Sequence, residues 1–141
     1  MYTNWLTYCR IAEELDERLR GARITAVYTQ QKNECVIEVE SGEGARRLVF
    51  STLPRMASLQ LKDDFARARK NSLDLLPDAV GDIVTSAAIA GDDRIIRLML
   101  SSGRALYALL FPVRANLLLH DGETLIDSYK QYDIAAHVLR K

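Results

Sequence analysis

The stretch Gly91–Lys130, GDDRIIRLMLSSGRALYALLFPVRANLLLHDGETLIDSYK, narrows what this chain can fold into more than any other part of it. Short apolar runs alternate there with tight-turn residues, a pattern that suits hairpin-linked strands and leaves no room for a long helix. Asp121-Gly122, between LLLH and ETLID, is the strongest turn signal. A type I′ turn needs φ > 0 at both central residues, and the Asp-Gly pair accommodates it. Ser102-Gly103, between IIRLML and ALYALL, is a second such point. Hairpins of this kind build antiparallel sheets. The stretch opens on a charged doublet, Asp93-Arg94, where a turn hands over to a strand.

The preceding residues supply a helix and a second set of strands. Thr3 or Asn4 caps a helix in which Trp5, Cys9, Ala12, Leu15 and Leu19 recur at helical spacing, and Gly21 serves as its C′ residue. Arg10, Glu13, Glu14, Glu17 and Arg20 form its polar side. Alternation then takes over. ARITAVYTQ, ECVIEVE and RRLVFST read as strands joined by QKN and SGEG, with Cys35, Ile37 and Val39 on one face and Glu34, Glu38 and Glu40 nearer solvent. Leu53-Pro54-Arg55 ends the third strand, and ASLQL forms a short fourth.

From Lys62 to Gly81 the spacing is helical again, with Asp63 or Asp64 as cap, Phe65, Ala68, Leu73 and Leu76 on an apolar side, and Pro77 dividing the segment. DIVTSAAIA begins the second group of strands. The order is a helix, about four strands, a helix, about five strands and a short tail. It predicts an α+β fold, an antiparallel β-sandwich or flattened barrel with flanking helices.

With 141 residues, 48% hydrophobic and 27% charged, the chain suits one domain with its own core. Nineteen basic residues balance nineteen acidic ones, so bulk charge does not mark a nucleic-acid binder and only local clustering could. No apolar run is long enough to span a bilayer, and no charged segment precedes an apolar one at the start. The expectation is a cytoplasmic protein with no membrane partner. Cys9 and Cys35 fall within a predicted helix and a predicted strand, as small buried thiols rather than a disulfide or metal pair. His120 and His137 show no HxxxH spacing, so no metal site is expected.

Catalytic patterns are scarce. There is no Gly-x-Ser-x-Gly elbow and no phosphate-cradling loop of the Walker or dinucleotide type, hence no expected cofactor. Asp63-Asp64 suits a helix N-terminus. For Asp92-Asp93 two readings stand. One is ordinary turn chemistry after glycine. The other pairs Asp93 with Arg94, whose planar fork grips a phosphate or carboxylate while the neighbouring Asp orients it or accepts bonds from a ribose or base.

Arg55, Arg67, Arg69, Lys70 and Arg114, like Arg46-Arg47, each read as solvated surface. Converging on one face, they would be phosphate contacts that fix position rather than read sequence. Tyr2, Trp5 and Tyr8 are aromatics that could stack on bases, although Trp5 lies on the apolar stripe and fits the core. Tyr28, Tyr107 and Tyr129 sit in strands, where packing alone favours tyrosine.

Four segments, in order, carry a resemblance: ELDERLRGARITAVYTQQKNECVIEV, RRLVFSTLPRMASLQL, GDDRIIRLML and ANLLLHDGETLIDSYK. They resemble the opening helix and hairpin, the strand–proline loop–strand, the Asp-Arg strand and the Asp-Gly hairpin of the N-terminal domain of the NFACT family. That family is also known as fibronectin-binding protein A, with RqcH among its bacterial members. The resemblance runs to about Lys130, giving a domain over 1–130 and a tail over 131–141 that leads into further domains.

What the resemblance implies is a role in ribosome-associated quality control. Such proteins bind tRNA and the large ribosomal subunit with a stalled peptidyl-tRNA, and support template-free alanine tailing of the nascent chain. Their signature site carries over to Asp93 and Arg94. Peptide transfer belongs to the ribosome, so the domain is not expected to be an enzyme. The implied fold is similar to the N-terminal domain of formamidopyrimidine-type DNA glycosylases. This chain starts Met1-Tyr2-Thr3-Asn4, without their N-terminal proline nucleophile, and lacks their zinc finger.

Two segments depart from the family pattern. ARARKNSLDLLPDAVG stands where the family has a Cys-x-x-Leu-Arg-Lys-His-Leu-like stretch, and Pro112-Val113-Arg114-Ala115-Asn116 replaces its Gly-Arg-His before Ser-Asn. The older family name offers a different reading, a surface adhesin that contacts fibronectin.

Overall fold

The computed structural model describes residues 5–31, 33–42, 44–52, 58–62, 73–90, 94–111 and 115–129. The helical spacing at the start becomes α1, Trp5–Leu19. Tyr8, Ala12, Leu15 and Leu19 are buried, while Arg10, Glu13, Glu14, Glu17 and Arg20 stay in solvent. Tyr8 therefore takes the core position expected of Cys9, which is only half-buried. The helix stops where Gly21 adopts φ 87, a left-handed conformation that a side chain would strain. The expected caps Thr3 and Asn4 lie outside the described residues, as do Asp63, Asp64, Phe65 and Ala68.

Alternation builds the first sheet. Strands β1 (Arg23–Gln31), β2 (Glu34–Ser41), β3 (Gly44–Ser51) and β4 (Ser58–Lys62) pair as an antiparallel meander. Cys35, Ile37 and Val39 join the main core, as the pattern predicts. The other face is not simply solvated: Tyr28, Val36 and Val49 form a buried cluster of their own.

A short strand β5 (Leu73–Asp74) completes this sheet by pairing with Thr29 and Tyr28 of β1. The predicted helix does not extend here. The Leu75 amide donates to the Val27 carbonyl at 2.8 Å, and Leu76 is buried at φ 46. The edge of β1 has backbone groups to satisfy, and this segment supplies the partners, overriding helix-like spacing. Pro77 then occupies the first turn of a 3-10 helix, Pro77–Ala79, where its missing N–H costs nothing.

The second sheet is an antiparallel meander of β6 (Val84–Ile89), β7 (Ile95–Leu100), β8 (Arg104–Leu109), β9 (Asn116–Asp121) and β10 (Thr124–Ser128). These are the strands read from the sequence. The last turn differs in type. Asp121 pairs with Thr124, so the central residues are Gly122 and Glu123, and of the two only Gly122 has positive φ, at 65. That is the type II′ pattern, with glycine first, rather than type I′ centred on Asp-Gly.

Two seams join the sheets into a sandwich. At one end, called the corner end here, Gly21 donates to the Val84 carbonyl at 2.7 Å, Ile24 to the Asp82 carbonyl at 2.8 Å, and Val84 back to the Ala22 carbonyl at 2.8 Å. At the distal end the Tyr129 hydroxyl, from beyond β10, donates to the Glu34 carbonyl at 3.2 Å. The Thr29 hydroxyl reaches the same carbonyl at 2.6 Å. Between the seams, α1, β1–β3 and β6–β9 all contribute to one continuous core.

Candidate nucleic-acid interface

The two seams fix which turns share an end. The β1–β2 tip, the exit of β3 at Ser51 and entry of β4 at Ser58, the β6–β7 turn and the β8–β9 connection all lie at the distal end. Arg94 stands in this group, immediately before β7. Its main chain is held on both sides: the Leu110 amide donates to the Arg94 carbonyl at 2.8 Å, and the Ala90 amide donates to the Ile95 carbonyl at 2.9 Å. Beneath it, Ala90, Ile95, Leu109 and Leu118 form a buried cluster with Tyr107 and Phe111 packed against it. The arginine itself is exposed. A fixed backbone carrying an exposed guanidinium is suited to gripping an anion, because little order is lost on contact.

Of the predicted site residues, Arg94 alone falls within the described residues. Asp93, Arg55, Arg67, Arg69, Lys70 and Arg114 lie outside them. The strand ends that flank Arg55, Asp93 and Arg114 are nevertheless all distal. The Arg46-Arg47 doublet is not brought there. Arg46 donates to the Arg18 carbonyl at 3.4 Å at the corner end, and Arg47 pairs across the sheet between Glu38 and Lys62. Among the stacking candidates, Tyr8 and Tyr28 are buried core residues and cannot meet a base.

Polar groups elsewhere have structural partners. Asp82 accepts bonds at the corner end from the Ile83 and Ser102 amides, at 3.0 and 3.1 Å, and from the hydroxyls of Ser101, at 2.7 Å, and Ser102. Burial raises its pKa, but these donors, the Ser102 hydroxyl foremost, outweigh it and hold the carboxyl below its ordinary value. Asp16 of α1 accepts the Ala87 amide of β6 at 2.8 Å, a bond that, with Arg20, holds this carboxyl low as well. Cys35 is a buried thiol whose pKa desolvation pushes up to about 12. Among the described residues no cluster of His, Cys, Asp and Glu could hold a metal ion. Nor is any helix among them long and apolar enough to cross a membrane.

One arrangement escapes a sequence reading. On the outer face of the second sheet, Tyr107 lies directly across from Arg97, and its ring meets that of His120 edge-on, with centroids 5.2 Å apart. His120 is 7% exposed, and burial lowers its pKa, which keeps it neutral near pH 7. The available signal was Arg97 interrupting the apolar run IIRLML on the face shared with Ile95.

The sequence matches the family described as NFACT N-terminal and middle domains over residues 5–141. Two solved structures share the fold. The N-terminal domain of the fibronectin-binding protein PavA from Streptococcus pneumoniae has a TM-score of 0.77 at 20% identity, covering 91% of this chain and 54% of that one. The fibrinogen-binding protein from Staphylococcus aureus has a TM-score of 0.73 at 18% identity, covering 92% of this chain and 50% of that one. This chain thus spans about half the length of each. No curated protein matches the sequence.

Proposed function

The chain belongs to the NFACT N-terminal and middle domain family, and from that premise we propose a non-catalytic RNA-binding domain of a ribosome-associated quality-control factor. In this reading the domain holds tRNA and docks on a large ribosomal subunit that carries a stalled peptidyl-tRNA, in the cytoplasm. It thereby supports template-free alanine tailing of the nascent chain, whose peptide bonds the ribosome makes.

The observation that carries the reading is Arg94: exposed, rooted in a hydrogen-bonded strand start, and part of the Asp93-Arg94 doublet. Arg94 takes an RNA phosphate or base edge, and Asp93 orients the guanidinium or accepts from a ribose hydroxyl. Arg55 and Arg114 follow strand ends at the same end of the sandwich and add phosphate contacts; Arg67, Arg69 and Lys70 are assigned the same role from their clustering.

A fluorescence titration with tRNA tests this. Arg94→Ala and Asp93→Ala should each weaken binding by about tenfold, the scale of a hydrogen bond to a charged group, with the thermal midpoint unchanged. Unaltered affinity in both variants would remove the assigned site. Tailing of a stalled nascent chain by the natural protein should fall in parallel.

A second reading follows from the names of the two structural neighbours, which describe binding to fibronectin and fibrinogen. Here the domain would contact a host matrix protein. Measuring fibronectin binding beside an unrelated β-sandwich separates the two, since saturable binding specific to this chain is expected only of the adhesin.

A further inference from the structure

The strands β6 to β9 contain four ionisable side chains, Arg97, Arg104, His120 and Asp121. Arg104 and Asp121 pair with each other, directly opposite in register and 3.8 Å apart, at the corner end. His120 is buried and neutral. Arg97 is left as the only uncompensated charge. It is half-buried, its Nε is shielded from water, and among the described residues that atom has no hydrogen-bond acceptor. A desolvated guanidinium nitrogen without an acceptor is costly, and an arriving anion would relieve that cost.

The surroundings of Arg97 keep it approachable. Across β6 its neighbour is Ala88, which is exposed, and across β8 it is Tyr107, which is half-buried. Small residues, Ser86, Ala88 and Ala105, share this face, so the Tyr107 ring and the Arg97 guanidinium are not walled in by bulky side chains. The Tyr107 ring is braced from below by Ile95, Leu109 and Leu118 and at its edge by His120. A fixed aromatic face beside a lone cation matches a nucleotide: the base stacks on the ring while the phosphate meets the cation. The first sheet offers nothing similar, because its outer row alternates in sign through Glu38, Arg47 and Lys62.

We propose that the outer face of the second sheet is a platform for single-stranded RNA, with Tyr107 stacking on one base and Arg97 holding an adjacent phosphate. Arg94 lies three residues away along the same strand, about 10 Å, and continues the path to the distal rim. The inference rests on the RNA-binding reading and adds to it the form of RNA recognised, an unpaired segment.

The test uses the 141-residue chain with two labelled probes, a single-stranded oligoribonucleotide and a blunt duplex of equal length. Tyr107→Leu should weaken single-strand binding by about tenfold, while Tyr107→Phe, which keeps the ring, stays within about twofold. Arg97→Gln should reduce the slope of log affinity against log salt by about 0.7, one single-strand phosphate contact. Duplex binding should be weaker than single-strand binding and indifferent to Tyr107→Leu. Folding of each variant is checked by its thermal midpoint, and if Tyr107→Leu does not fold, the Arg97→Gln slope decides. Wild-type affinity and slope in these variants, alongside loss in Arg94→Ala, would overturn the platform and leave the Arg94 site standing. A wild-type chain that binds neither probe would overturn both.

Discussion

Arg94 and Asp82 show how two charged turn residues come to different ends. Both stand beside the first residues of a strand, yet Asp82 accepts four hydrogen bonds that lock one corner of the sandwich, whereas Arg94 is exposed on a pinned backbone. Asp82→Ala should therefore cost about 1–2 kcal/mol, seen as an earlier midpoint in urea, because it strands amide and hydroxyl donors. The sign of the pH effect follows from the lowered pKa. The carboxylate is favoured in the folded state, so its stabilisation is present above the unfolded-state value near 4 and fades as the pH falls below it. The gap between wild type and Asp82→Ala should be full at pH 7 and narrow in acid. Cys35 gives a different expectation. With its thiol pKa pushed up to about 12, it should resist Ellman's reagent at pH 8 in the native protein and react once urea unfolds it.

At the level of elements, α1 does more than fill space. β6 is an edge strand of the second sheet, and the Asp16 carboxylate of α1 takes the Ala87 amide that would otherwise face outward. Asp16→Ala should speed hydrogen exchange at the Ala87 amide without equal change at the central strands β7 and β8, measured residue by residue. Elements differed in how far the sequence disclosed them. The helix, β1–β4 and the second meander were legible because each carries its own period and turn residues, from Trp5–Leu19 through Ser102-Gly103 to Gly122. The Leu73–Leu76 segment was not. Its apolar spacing fits a helix, and only the unsatisfied edge of β1, remote in sequence, makes Leu73–Asp74 a strand and turns Leu76 to φ 46. The II′ turn at Gly122-Glu123 is a subtler case, since register across β9 and β10 chose which glycine-containing pair sits at the centre.

For the whole molecule, the shared core and the two seams predict a single cooperative unfolding transition rather than one per sheet. Phe50→Ala in the first sheet and Leu106→Ala in the second both empty fully buried sites of one core. Each should destabilise by about 2–5 kcal/mol and move the same transition, detected identically by circular dichroism and tyrosine fluorescence. Two resolved transitions would show that the sheets are separate units. The candidate site divides along similar lines. The sequence by itself determined the α+β class, the hairpin meanders and the Asp93-Arg94 doublet, because period, turn chemistry and motif order are local properties that survive without contacts. The tertiary structure decided which side chains are available and which face one another. It withdrew Tyr8 and Tyr28 into the core, sent Arg46 to the corner end, and set Arg97 opposite Tyr107 on a face with no acid to balance it. Burial and cross-strand register are set by residues far apart in the chain, and no local pattern encodes them.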